Sequence, residues 1–165
     1  TFPLLNDYKK SPRLQILDTG LMNFLAGIQK ELVLLENIEM AYKGKVAEHI
    51  VGQELQSINH NVMNEIHFWT REKKDADAEI DFIYGYEGKI FPIEVKSGAT
   101  GTLRSLHNYM DLCPHIYAIR IFGGEISVNT LTTQKGKQFY MLNLPFYLTG
   151  QIEKYLEWFM GKYPS

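Results

Sequence analysis

Asp81, Glu94 and Lys96 are the residues whose types and spacing suggest chemistry, and they share one short stretch from Glu79 to Lys96. Ile80, Phe82 and Tyr84 alternate with Glu79, Asp81 and Ile83. Phe91, Ile93 and Val95 alternate in the same way with Pro92, Glu94 and Lys96, so both arms show the period of two that marks a strand. Gly85 and Gly88 bracket Tyr86 and Glu87 between the arms, the composition of a tight hairpin turn. A turn centred between Glu87 and Gly88 sets Asp81 opposite Glu94, and Glu79 opposite Lys96. Side chains opposed in this way lie roughly 4.5–5.5 Å apart at Cβ, where like charges repel. Two acids so placed need a cation between them or a raised pKa on one of them. A hard divalent ion suits such a pair, with water and substrate phosphate completing its shell. Lys96 follows Glu94 by two residues and leans over the same face. Two acids and a lysine around one Mg²⁺ or Mn²⁺ ion are suited to phosphodiester hydrolysis. Taken singly, each of these residues is more often a solvated charge, and Glu79 with Lys96 an ordinary cross-strand ion pair.

The flanking segments must hold this hairpin in place. Glu65–Thr70 reads as a strand that pairs with the one at Glu79, and the charged run Arg71–Asp77 as a solvated turn. Ala41–Ile58 is the longest helix candidate, with Val46, Ala47, Ile50, Val51, Leu55 and Ile58 on one stripe. Glu48 stands at the edge of that stripe, either reaching the site or pairing with Lys45. After the hairpin, Ser97–Gly101 is a polar loop and Thr102 a good N-cap for a helix to Leu112. The loop's N–H groups and the helix N-terminus are suited to an anion. Arg104 and His107 share that helix's polar face. His115–Phe122 is a nearly continuous apolar run, suited to a central parallel strand reached by this crossover helix. Ile126–Leu131 and Gln138–Leu142 are further strands, and Phe146–Phe159 a last amphipathic helix. At the other end, Arg13–Asp18 reads as a strand or extended segment. Asp18 or Thr19 caps a helix through Leu25, closed by Gly27 and packed through Leu21, Met22, Phe24 and Leu25. Ile28–Met40 reads as one or two short helical pieces.

Asp81, then Glu94-Val95-Lys96 after a short hairpin, then a helix, resembles the core of the PD-(D/E)xK nuclease superfamily. The wider order is more particular. Asp18-Thr19-Gly20-Leu21, the helix from Gly44 and Glu48 to Gln53-Glu54-Leu55, Phe68-Trp69-Thr70-Arg71, Glu79-Ile80-Asp81-Phe82 and Pro92-Ile93-Glu94-Val95-Lys96-Ser97 follow one another. Together they resemble the C-terminal domain of unknown function attached to many bacterial and archaeal AAA-type ATPases. The resemblance covers most of the chain. It implies an α/β, restriction-endonuclease-like fold: a mixed central sheet flanked by helices, with residues 1–40 as a helical lead-in and 41–165 as the nuclease-like domain. It also implies Asp81, Glu94 and the Val95 carbonyl as ligands of Mg²⁺ or Mn²⁺. Lys96 would handle the attacking water or the developing charge, and Glu48 would support the metal from its helix.

Composition bounds these expectations. The chain has 165 residues, 45% of them hydrophobic, enough for one well-filled core. A net charge of -2 lacks the basic excess of a general nucleic-acid binder. Cys113 is the single cysteine, which excludes an internal disulfide, and the five histidines show no zinc spacing. Gly44-Lys45 and Gly136-Lys137 lack the rest of a phosphate loop. No apolar run is long enough to span a membrane and no stretch shows a signal-peptide pattern, so a cytoplasmic location is expected. The first residue is not methionine, so the chain is expected to be the tail of a longer one, which the resemblance implies is an ATPase. Two functions follow: a Mg²⁺-dependent phosphodiesterase acting on DNA, or a catalytically silent nuclease-fold module that regulates the attached ATPase. For the second, the aromatic residues Tyr147, Tyr155, Trp158, Phe159 and Tyr163 are candidates for a contact with the ATPase or with a second copy.

Overall fold

A computed structural model describes residues 4, 6–16, 18–27, 30, 44–58, 65–71, 77–96 and 102–164. Within them the chain is α/β, built on one six-stranded mixed sheet. The strands are β1 (His67–Arg71), β2 (Ala78–Tyr86), β3 (Lys89–Lys96), β4 (Tyr117–Phe122), β5 (Ser127–Thr132) and β6 (Gln138–Pro145). The helices are α1 (Thr19–Leu25), α2 (Lys45–Ile58), α3 (Arg104–Met110) and α4 (Ile152–Lys162). The sheet order is β1-β2-β3-β4-β6-β5. β1, β2 and β3 form an antiparallel meander, β3, β4 and β6 run parallel, and β5 returns antiparallel to β6.

The β2–β3 hairpin has the register expected of it. Tyr86 pairs with Lys89 and Phe82 with Ile93, which leaves Glu87 and Gly88 as a two-residue turn. Both have positive φ, +44° and +71°, as the primed turns that match strand twist require. The first parallel step, β3 to β4, needs a crossover, and α3 supplies it.

Two apolar layers hold the sheet between helices. On one face α2 (Ala47, Val51, Leu55) and α4 (Ile152, Leu156, Phe159) pack on Ile93, Val95, Ile119, Ile121, Leu142 and Leu144. On the other, Leu106 and Met110 of α3 pack on Ile80, Ile83, Ala118, Phe139 and Met141. β4 is covered on both faces, which explains its nearly unbroken apolar sequence. The Tyr84 hydroxyl donates to Glu153 at 2.7 Å and ties β2 to α4.

Several expectations change. Ile80 does not share a face with Phe82 and Tyr84: it lies in the α3 layer, and they lie in the α2/α4 layer. The cause is a β-bulge. His67 pairs with Ile83 but Trp69 with Ile80, so β2 carries one extra residue at Asp81–Phe82. Residues 11–16 form no strand, and instead Gln15 lies across α2 and donates to the His49 carbonyl at 3.1 Å. Gly52 makes room for it, since a Cβ there would stand 2.8 Å from the Gln15 amide. Asp18 caps α1 by accepting from the Leu21 N–H, and Gly27 follows with positive φ, as expected. However, α1 buries none of its residues, and Leu21, Phe24 and Leu25 are exposed. Leu103, with no side-chain capping bond, replaces Thr102 as the N-cap of α3. The last helix is a 3₁₀ segment, Phe146–Gln151, followed by α4. The short helical pieces expected at 28–40, and the loops expected at 72–76 and 97–101, lie outside the described residues, Lys30 excepted.

Candidate functional site

The bulge determines where Asp81 goes. The β2–β3 ladder stops at Phe82–Ile93, one pair short of Asp81 and Glu94. In place of a backbone partner, the Val95 N–H donates to Asp81 Oδ2 at 2.8 Å. The carboxylate thus fills the gap where the strands part, held by β3 itself. The expected pairing of Glu79 with Lys96 is absent. Glu79 is paired with Thr70 on β1 and forms an ion pair with Arg13, whose guanidinium also donates to the Asp81 carbonyl at 3.3 Å. Lys96 turns to its own strand instead and binds Glu94 Oε1 at 2.6 Å.

Glu94 is buried in the strand, and its second oxygen, Oε2, has no hydrogen-bond partner among the described residues. Burial, then the Asp81 charge, pushes its pKa up to about 7, against the pull of Lys96. Burial also raises Asp81, while the Val95 N–H lowers it and Glu48 raises it. Glu48 stands in the first turn of α2, bonded to Lys45 at 2.8 Å, and its charge acts on both acids. The pairing with Lys45 is thus the contact Glu48 makes, and toward the two acids it acts through its charge. The structure brings Glu48, Asp81, Glu94 and Lys96 into one electrostatic unit with three acids and one inward lysine.

A hard divalent cation fits this donor set. Glu94 Oε2 is a buried acceptor without a donor among the described residues, and a carboxylate pair is disfavoured as two neighbouring charges. Among the described residues no three His, Cys, Asp or Glu side chains form a metal-holding group. A carboxylate pair by itself is the donor set of an ion that keeps several waters, as Mg²⁺ does. The Val95 side chain is buried in the α2/α4 layer, so only its backbone is available to the site.

The chain belongs to the family described as a domain of unknown function, DUF4143. The family's model matches residues 43–147. No curated protein and no solved structure matches the chain. The matched part of the DUF4143 domain holds all four residues of the site and the whole six-stranded sheet. No helix of the described residues is long and apolar enough to cross a membrane.

Two residues of the DUF4143 domain that sequence reasoning passed over stand beside the site. Arg120 on β4 is in register with Glu94, and Asn143 on β6 is in register with Arg120. A lone arginine inside the apolar run of β4 was the available signal. His107 lies edge-on to Phe139, 5.3 Å between ring centres, so it packs against β6. A second pair with chemical types, Cys113 and His115, is structural. His115 Nδ1 accepts from the Tyr117 N–H, so Nε2 carries the proton and donates to the Ile90 carbonyl at 2.8 Å. That nitrogen cannot take a proton from Cys113, and burial holds the thiol's pKa up.

Proposed function

We propose that this domain is a Mg²⁺- or Mn²⁺-dependent phosphodiesterase of the PD-(D/E)xK type, with a restriction-endonuclease-like sheet, acting on DNA. The observation that carries the reading is the Glu94 carboxylate: buried, half-satisfied by Lys96, and raised by a second acid. Asp81 and Glu94 would hold the metal, with the Val95 carbonyl as a further ligand. When bound, such an ion polarises the phosphoryl oxygen and lowers the pKa of a water. The chain's own contribution is positioning and charge. The Val95 N–H fixes the Asp81 carboxylate, and Lys96 holds Glu94 while placing a cation next to the reacting phosphate. Glu48 adds negative charge that favours a cation over a bare acid pair. Calorimetric titration of Mn²⁺ and Mg²⁺ into the wild type and Asp81→Ala tests the site. Binding in the wild type, lost in the variant, is expected; no binding at millimolar metal overturns it.

A second reading has its own support. Lys96 already satisfies Glu94 Oε1, and Leu21, Phe24 and Leu25 on α1 are 49%, 63% and 66% exposed. A cytoplasmic, catalytically silent module that docks on an upstream AAA-type ATPase region, or on a second copy, fits these facts. Crosslinking to that region, together with a changed ATPase rate, would support it. A monomer that alters no rate would dismiss it.

A further inference from the structure

Across the α3 face of the sheet, Glu94, Arg120, Asn143 and Ser127 stand in register on β3, β4, β6 and β5. The row lies near the C-terminal ends of the three parallel strands, the end at which open α/β sheets bind ligands. Asn143 is fully buried; its Nδ2 donates to Ser127 Oγ at 3.1 Å and to Asn129, while its Oδ1 has no partner among the described residues. Arg120 is partly buried, its guanidinium 4.5 Å from the centre of the Phe122 ring, and its Nε has no partner among the described residues. Glu94 is its in-register neighbour, yet Glu94 bonds to Lys96. The charge of Glu94 is therefore answered without Arg120.

A guanidinium taken partly out of water, with no anion on it among the described residues, is costly, and its planar fork matches the oxygens of a phosphate. We propose that Arg120 grips a non-bridging oxygen of a nucleic-acid backbone phosphate and sets that phosphate against the Asp81–Glu94 pair. The inference rests on the phosphodiesterase reading and adds to it the residue that binds substrate. Asn143 Oδ1 suits the orienting role, since it can accept an N–H from a guanidinium but repels phosphate. The acidic net charge is then no obstacle, because the grip is concentrated in one stacked arginine beside the metal ligands.

The test is fluorescence anisotropy of a labelled DNA duplex in chelator over a range of salt concentrations. Wild type, Arg120→Met, Arg120→Lys and Asp81→Asn are compared. Methionine keeps an apolar stem over Phe122, and circular dichroism checks that the variant is folded. Arg120→Met is expected to weaken binding about tenfold or more and to reduce the salt slope by about one. Arg120→Lys should fall between, retaining charge without the fork, and it serves alone if the methionine variant does not fold. Asp81→Asn should bind more tightly, since in chelator it removes an uncompensated negative charge beside the phosphate. Equal binding by wild type and the Arg120 variants overturns the inference, as does a wild type that binds no DNA. Thermal melts with Mn²⁺ separate the two claims. Arg120-dependent DNA binding without an Asp81-dependent Mn²⁺ shift sustains the phosphate grip and removes the hydrolytic reading. A Mn²⁺ shift with Arg120-independent binding does the reverse.

Discussion

Glu94→Gln should make the metal-free protein more stable at alkaline pH and no more stable at acidic pH. The folded protein holds the Glu94 proton up to about pH 7, against an ordinary value of 4.5. At about 1.4 kcal/mol per unit, that gap corresponds to about 3 kcal/mol of stability. The direction follows from proton counts. Between the two values the folded state binds the proton and the unfolded state does not, so stability is present at low pH and lost as pH rises through 7. Burial is the largest cause of the shift, and the charged groups that act on it are Asp81 from β2, Lys96 from β3 and Glu48 from α2. Glutamine keeps the shape and removes the charge, and the pull of Lys96 on the ionised form is already contained in the raised value. The gain at pH 8 is therefore about 3 kcal/mol, or a melting shift of about 6–12 °C for a chain of this size. Urea unfolding of both proteins in chelator, from pH 5 to pH 8, measures the difference directly. It should grow with pH and level off above 7. A glutamine variant that is less stable than wild type by the same amount at every pH would refute the argument. Glu94 would then be an ordinary ionised partner of Lys96.

At Asp81 the two substitutions should part company. Asp81→Asn can still accept the Val95 N–H, so urea unfolding in chelator should place it within about 1 kcal/mol of wild type, while the Mn²⁺ melting shift disappears. Asp81→Ala strands that N–H and should cost about 1–3 kcal/mol in the same assay. At the hairpin tip, Glu87 holds a φ of +44°, so Glu87→Asn should raise stability by about 0.5–1 kcal/mol, read from the thermal midpoint.

The hairpin register was legible because two glycines, a turn centred between Glu87 and Gly88 and alternating arms all point to one pairing, which Tyr86–Lys89 and Phe82–Ile93 bear out. The central strand was legible from its unbroken apolar run and the crossover helix before it. The bulge was not. Nothing in Glu79–Tyr84 distinguishes a regular strand from one with an extra residue, because Ile80, Phe82 and Ile83 are equally apolar and both faces are covered. Strand period fixes a side chain's face only while the ladder is regular. The packing of α1 failed for a different reason. Leu21, Phe24 and Leu25 are spaced for a helix face, but spacing cannot say what that face meets.

The charges around the site show how these facts join. On sequence spacing alone, Glu79 competes with Glu94 for Lys96, which would leave two acids facing each other with no cation. The bulge and the lead-in segment together remove that competition. The extra residue leaves Glu79 aligned with Thr70 on β1, and Arg13 then binds Glu79. The same guanidinium donates to the Asp81 carbonyl and lies 4.4 Å from the centre of the Phe68 ring, spanning β1 and β2 at the irregular step. Lys96 is thereby released to Glu94, and among the described residues Asp81 keeps only the Val95 N–H as a direct donor to its carboxylate. Residues 11–16 therefore act as part of the site's electrostatics, although they form no strand and carry none of its acids. A site with one lysine can hold two opposed carboxylates half-neutralised only if the neighbouring acid is answered from elsewhere, and Arg13 answers it.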